Sequence, residues 1–147
     1  MIEVRRYTRD DAGAMTGLMD ELGYPAGEAE IGERISGMPS EYFQTWVAEI
    51  GGEVVGFIGV VVLPVYEYST RIGWVLALSV AAAHQRKGVG RALVEAVECS
   101  CRGKGVTDVR VHSGLQRTEA HRFYEEMGYD RTGYRFRKKL SDGYLRR

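Results

Sequence analysis

Trp74 to Leu93 reads WVLALSVAAAHQRKGVGRAL, and the reading of this stretch decides the fold. Its first seven residues, Trp74 to Val80, carry no charge, the pattern of a strand buried on both faces. His84, Gln85, Arg86 and Lys87 then form a short polar, basic turn, and Val89, Ala92, Leu93, Ala96 and Val97 recur at helical spacing after it. A strand, a basic turn containing Gly88 and Gly90, and a helix N-terminus thus follow one another. Such a junction gathers backbone N–H groups and the positive end of a helix dipole, which suits an anion, most often phosphate. A plain tight turn with solvated cations would use the same residues. Two phosphate motifs are excluded: a dinucleotide fingerprint needs a third glycine near Leu93, and a P-loop needs Gly-x-x-x-x-Gly-Lys-Ser/Thr.

Downstream, the helix from Gly88 is expected to reach about Arg102, with Gly103 in the C′ position. Thr107 to His112 reads as the next strand, parallel to the Trp74 strand because a helix connects them. After a loop at Ser113 to Arg117, Thr118 caps a last helix with Ala120, Phe123, Tyr124 and Met127 inward and Gly128 at its end. Tyr129 to Leu140 reads as a final strand, and 141–147 as a frayed tail. Upstream, residues 2–7 alternate as a strand, Thr8 and Asp11 form a capping box, and a helix follows with Ala14, Leu18 and Leu22 on one side, beside Met15 and Met19. A short helix spans Glu28 to Ile35. Phe43 to Ile50 and Glu53 to Leu63 form a hairpin about Gly51-Gly52, and the second strand is apolar on both faces, hence central. The order β-α-α-β-β-β-α-β-α-β implies an α/β (α+β) fold: one domain over residues 1–147, a mixed central sheet with helices on both faces.

Composition narrows the function. The 147 residues, 44% hydrophobic and 27% charged, suit a globular domain, and 20 basic residues balance 20 acidic ones. No global field attracts nucleic acid or an anionic membrane, and the basic run Arg135 to Lys139 has no companion nucleic-acid motif. Charges within Met1 to Arg6 and the lack of an eighteen-residue apolar run lead us to expect a cytoplasmic protein. Cys99 and Cys101 would point about 200° apart on a helix and are expected as reduced thiols. With the three histidines on a loop, a strand and a helix, no metal site is expected.

Gln85-Arg86-Lys87-Gly88-Val89-Gly90 resembles the Gln/Arg-x-x-Gly-x-Gly/Ala acetyl-CoA-binding motif of the Gcn5-related N-acetyltransferase (GNAT) superfamily. Ala120 to Tyr129, AHRFYEEMGY, is similar to its Ala-x-x-Phe-Tyr-x-x-x-Gly-Phe/Tyr segment, and the resemblance covers about residues 1–140. It implies a V-shaped gap between the fourth and fifth strands holding the pantetheine arm of acetyl-CoA. Leu78, Ser79 and Val80 would bind that arm through the main chain, a backbone N–H near Leu78 would polarise the acetyl carbonyl, and Gln85, Arg86, Lys87, Gly88, Val89, Gly90 and Arg91 would hold the phosphates. Tyr124 would be the general acid toward the coenzyme thiolate. The implied activity is acetyl transfer to a primary amine, with a small molecule favoured; a protein N-terminus or lysine as acceptor, and a non-catalytic acyl-CoA-binding module, are the alternatives. Leu22, Tyr24, Pro25, Phe43, Tyr66, Tyr68 and Trp74 are acceptor-site candidates, and Glu28, Glu30 and Glu33 the only hint of an acidic cleft. Two departures stand out. Many relatives carry a glutamate on the fourth strand, whereas Trp74 to Ser79 contains no carboxylate, which leaves Glu67, His84, His112 or a water chain as the base; and Arg117 stands where many carry asparagine. Oligomeric state is open, a homodimer included.

Overall fold

β3 (Glu53–Leu63), apolar on both faces, lies at the centre of a five-stranded sheet in the computed structural model, which describes residues 1–112 and 118–142. The order is β1 (Ile2–Arg6), β2 (Phe43–Ile50), β3, β4 (Ile72–Val80) and β5 (Asp108–Val111). The first four strands pair antiparallel, β2 and β3 through the Gly51-Gly52 turn, where both φ angles are positive. β4 and β5 pair in parallel, as a helical crossover requires. Residues Met1–Val111 form one compact unit and His112–Arg147 a second.

In the first unit the two sheet faces carry different helices. α1 (Ala12–Leu22) and α2 (Glu28–Ser36) cover one face, where Ala12, Met15, Leu18 and Ile31 pack with Val47 and Phe57. α3 (Val89–Gly103) covers the other with Val89, Leu93, Val97 and Cys101. Each large side chain so buried contributes roughly 1.5–3 kcal/mol before chain entropy is counted. The stripe on α1 differs from the expected one: Ala12, Met15 and Leu18 are buried and Ala14 is exposed. A 3₁₀ turn at Arg9–Asp11 precedes α1 and fixes which side meets the sheet. α3 likewise ends on the left-handed Gly105, not at Gly103, which is still helical.

The second unit contains α4 (Thr118–Glu126), closed by the left-handed Gly128 as expected; Thr118 is its first helical residue. The expected final strand is not formed. Residues 129–140 belong to no strand or helix, and Tyr134, Phe136 and Leu140 are largely exposed. Alternating side chains can suggest a strand, but only a neighbouring ladder and a buried face make one, and here the apolar positions of the pattern are not buried. Ser113 to Arg117, including Arg117, and 143–147 of the tail lie outside the described residues.

The join between sheet and α1 is electrostatic. Arg5 on β1 donates two hydrogen bonds of 2.8 Å to the Asp11 carboxylate and a third to Glu49 on β2, while Asp11 accepts the Thr8 N–H at 2.8 Å. Asp11 is buried, and the Arg5 guanidinium holds its carboxyl below the usual carboxylate range. The stability from this depressed pKa is present above the unfolded carboxylate pKa of about 3.9 and is lost as pH falls through the lower folded value. Asp11→Asn should therefore destabilise by about 1–2 kcal/mol near pH 7, a figure discounted for the partial exposure of Arg5. Urea unfolding at stepped pH should show that difference shrinking below about pH 4; a difference independent of pH would mean the pair's charge contributes nothing.

Candidate functional site

The site begins where β4 loses both regularity and a neighbour. Gly59 pairs with Ala77 but Val60 with Val75, so Leu76 is an extra residue, a β-bulge. β5 pairs only with Ile72 to Val75. Among the described residues, β4 from Leu76 onward pairs with β3 on one side and with no strand on the other. The Ala81 N–H donates to the Val55 carbonyl at 2.8 Å, which sets the alternation: Ser79 and Ala77 direct their main-chain groups toward β3, Leu78 and Val80 toward the open side. The Val80 carbonyl accepts the Gln85 side-chain amide at 3.1 Å. Ser79 is buried, its hydroxyl donating to the Leu18 carbonyl at 2.8 Å, so its side chain is a tie to α1.

A 3₁₀ turn, Ala82–His84, then leads to the basic stretch. Gln85 also donates to Glu21 at 3.1 Å, so one side chain clamps the turn to the end of β4 and the end of α1. Arg86 has φ 65° and Gly88 φ 89°. Gly88 suits the left-handed region; Arg86 adopts it at a cost of order 1 kcal/mol. The Ala92 N–H donates to the Gly88 carbonyl at 3.0 Å, the first bond of α3, so the N–H groups of Gly88, Val89, Gly90 and Arg91 precede the helical ladder. Val89 points its side chain into the core and brings only its main chain to this turn. Lys87 and Arg86 are exposed, and Arg91 pairs loosely with Glu95 at 3.7 Å. Beneath lies Gly56 of β3, where a β-carbon would stand 3.0 Å from Val89 Cγ1 and 3.2 Å from Leu93 Cδ1. The bare backbone there lets the first turn of α3 sit down on the sheet.

In the second unit Tyr124 is half-buried on α4, its ring edge-on to Phe123 at 5.1 Å and to Tyr129 at 5.8 Å. The base candidates are dispersed. Glu67 is exposed on the β3–β4 connection, where its charge is felt by Arg110; His112 is exposed just after β5. His84 follows β4 with its Nδ1 buried and unpartnered among the described residues. Among the acceptor candidates, Tyr24, Tyr66 and Tyr68 are exposed, Leu22, Phe43 and Trp74 half-buried. Sequence reasoning missed Leu76, 56% exposed in the middle of an apolar strand, and missed Glu21 and Gly56. Only the register between β3 and β4 reveals the first. Among the described residues no helix is long and apolar enough to cross a membrane, and no cluster of three His, Cys, Asp or Glu could hold a metal.

Comparison with known proteins agrees with this geometry. N-acetyltransferase 8 of Rattus norvegicus is 35% identical over 91 residues, covering 62% of this chain and 41% of the relative; the chain spans about two fifths of the length of the curated relatives it matches. A GNAT family acetyltransferase from Staphylococcus aureus superposes with a TM-score of 0.82 at 20% identity, covering 95% of this chain and 98% of the other. AAC(6')-Iy, solved with a bisubstrate analogue of CoA and acetylneamine, superposes with a TM-score of 0.81 at 18% identity, covering 96% and 99%. At such identities these two structures establish the fold. The family model for the acetyltransferase (GNAT) family matches residues 14–129, and the chain belongs to that family.

Proposed function

We propose that the chain transfers an acetyl group from acetyl-CoA to the primary amine of a small molecule, by direct attack in a ternary complex. The observation that carries this reading is the continuity of the β4 edge beyond Val75, unpaired on that side among the described residues, with the first turn of α3. The Leu78 main chain and the Val80 N–H offer the pantetheine amides a missing strand, and the N–H groups of residues 88–91 with Arg86, Lys87 and Arg91 offer the phosphates a cationic cradle. Gln85 shapes that cradle by fixing the turn. A main-chain N–H at the Leu76 to Leu78 bend would polarise the acetyl carbonyl. The family match crosses both compact units, which supports one catalytic domain.

In the step itself the neutral amine nitrogen bonds to the acetyl carbon, the C–S bond breaks as the thiolate takes a proton from the Tyr124 hydroxyl, and the proton that the nitrogen then gives up returns through water to the Tyr124 oxygen. An alkylammonium of pKa about 10.4 must first lose a proton, which costs roughly 4.6 kcal/mol at pH 7. With no carboxylate on β4, we assign that proton to water at the Leu76 opening. Thiol release should thus depend on added amine, give intersecting initial-rate lines, and rise with pH along the substrate amine's own ionisation. Parallel lines would indicate a covalent enzyme intermediate, a plateau near pH 6.5 a histidine base, and turnover confined to peptides a protein acceptor; each would overturn the corresponding part of the reading.

A further inference from the structure

The face of the sheet that carries α1 is not covered along its whole length. In register across β2, β3 and β4, the row Val47, Phe57, Ser79 lies under α1. In the next row, Thr45, Gly59 and Ala77 with the bulged Leu76, Ala77 still packs against that cluster while Gly59 and Leu76 do not. Gly59 is half-buried although its strand neighbours Ile58 and Val60 are at 0% and 1% exposure, and a β-carbon on it would meet nothing within 4 Å. Leu76 beside it is 56% exposed. Among the described residues, then, the middle of this central strand has no side chain packed directly over it. Behind this row stand Phe43 and Trp74 on either side of the nearly buried Val61. Neither row contains an ionisable side chain; Arg110, opposite Trp74 in register, pairs with Asp108 at 2.9 Å and also feels the charge of Glu67.

We infer that this part of the sheet is the acceptor floor and that it selects a primary amine on an apolar or aromatic carbon skeleton, Leu76 and Gly59 being the specificity-determining positions. The inference rests on the acetyl-transfer reading above. A bulky apolar group gains contact with Leu76 and Trp74 and fills the space over Gly59, whereas a second ammonium laid on the same floor would lose water with no carboxylate in either row to meet it. The bulge places this floor just beyond the last described β4–β5 pair, Val75 with Val111, next to the main chain assigned to the acetyl group.

The test compares kcat/KM for 2-phenylethylamine and for spermidine, with saturating acetyl-CoA, in the wild type, Leu76→Glu and Gly59→Val. The wild type should favour phenylethylamine at least about tenfold. Leu76→Glu should erase or invert that ratio. Gly59→Val should lower phenylethylamine turnover about tenfold while thermal stability and stabilisation by acetyl-CoA are retained, because the added side chain enters open space. Spermidine used as well as phenylethylamine by the wild type would overturn the substrate class and leave acetyl transfer standing. Variants that change neither rate, or lower both equally, would overturn the floor. Failure of the wild type to acetylate either amine while acetyl-CoA still stabilises it would overturn the inference alone; failure of acetyl-CoA to bind would overturn the reading beneath it.

Discussion

Tyr124→Phe should lower kcat about a hundredfold and leave the dissociation constant for acetyl-CoA within a factor of two. The substitution removes one oxygen. The ring contacts with Phe123 and Tyr129, at 5.1 and 5.8 Å, are made by the aromatic ring, which the substitution keeps. What changes is the fate of the departing sulfur. A thiolate leaving without a proton must be stabilised by main-chain groups alone, and the C–S bond then breaks late and at greater cost. The loss should be smaller with an acyl donor whose thiol is more acidic, since such a leaving group has less need of the proton. Wild-type kcat in the variant would remove Tyr124 from the chemistry and return it to the role of a packing residue, which its place on an amphipathic helix would equally explain.

Gly56→Val should cost about 2–3 kcal/mol of stability and weaken acetyl-CoA binding about tenfold. Its β-carbon would lie 3.0 Å from Val89, 3.2 Å from Leu93 and 3.2 Å from the Ser79 carbonyl, and two of those three neighbours cannot yield cheaply. The carbonyl is part of the β3–β4 ladder. Val89 is the first residue of α3 and fully buried, so pressure on it tilts the very turn whose N–H groups meet the phosphates. The same change at Gly59, three residues along the same strand and on the opposite face, provides the control, because nothing lies within 4 Å of the new carbon there. Unfolding of both variants in urea, with acetyl-CoA titrations alongside, separates the effects. Equal stability of the two would mean that α3 is not seated through Gly56.

Much of this was legible in the sequence. Gly51-Gly52 marked the hairpin, the uncharged run of β3 marked the centre, and the change at Val80 from an apolar strand to a basic, glycine-containing turn marked the mouth of the site. These are local signals, set by backbone conformation and by burial of contiguous residues. Leu76 was hidden for the opposite reason: within Val75, Leu76 and Ala77 nothing distinguishes a bulge, which is a property of the register between two strands. The expected strand at 129–140 failed on the same ground, since alternation in one segment does not supply a partner. On α1, Met15 and Leu18 are buried as expected, but Ala12 replaces Ala14 in the core, next to a 3₁₀ turn at Arg9–Asp11 that apolar spacing alone does not announce. Gln85, expected among the coenzyme contacts, also braces Glu21 to Val80, an arrangement that appears only once α1 and β4 are side by side.

The central claim is that the turn after β4 holds acetyl-CoA, and thermal unfolding with acetyl-CoA, ATP and NADH in parallel tests it most directly. At a hundred times its dissociation constant a ligand bound only by the folded state stabilises it by about 2.7 kcal/mol, roughly 5–10 °C for a chain of this size. The expected result is a shift of that order with acetyl-CoA, several-fold smaller with the other two polyanions, and reduced in Gly56→Val. No shift, or the same shift with ATP as with acetyl-CoA, would mean that Gln85 to Gly90 is an ordinary basic turn and that the assignment of the site is wrong.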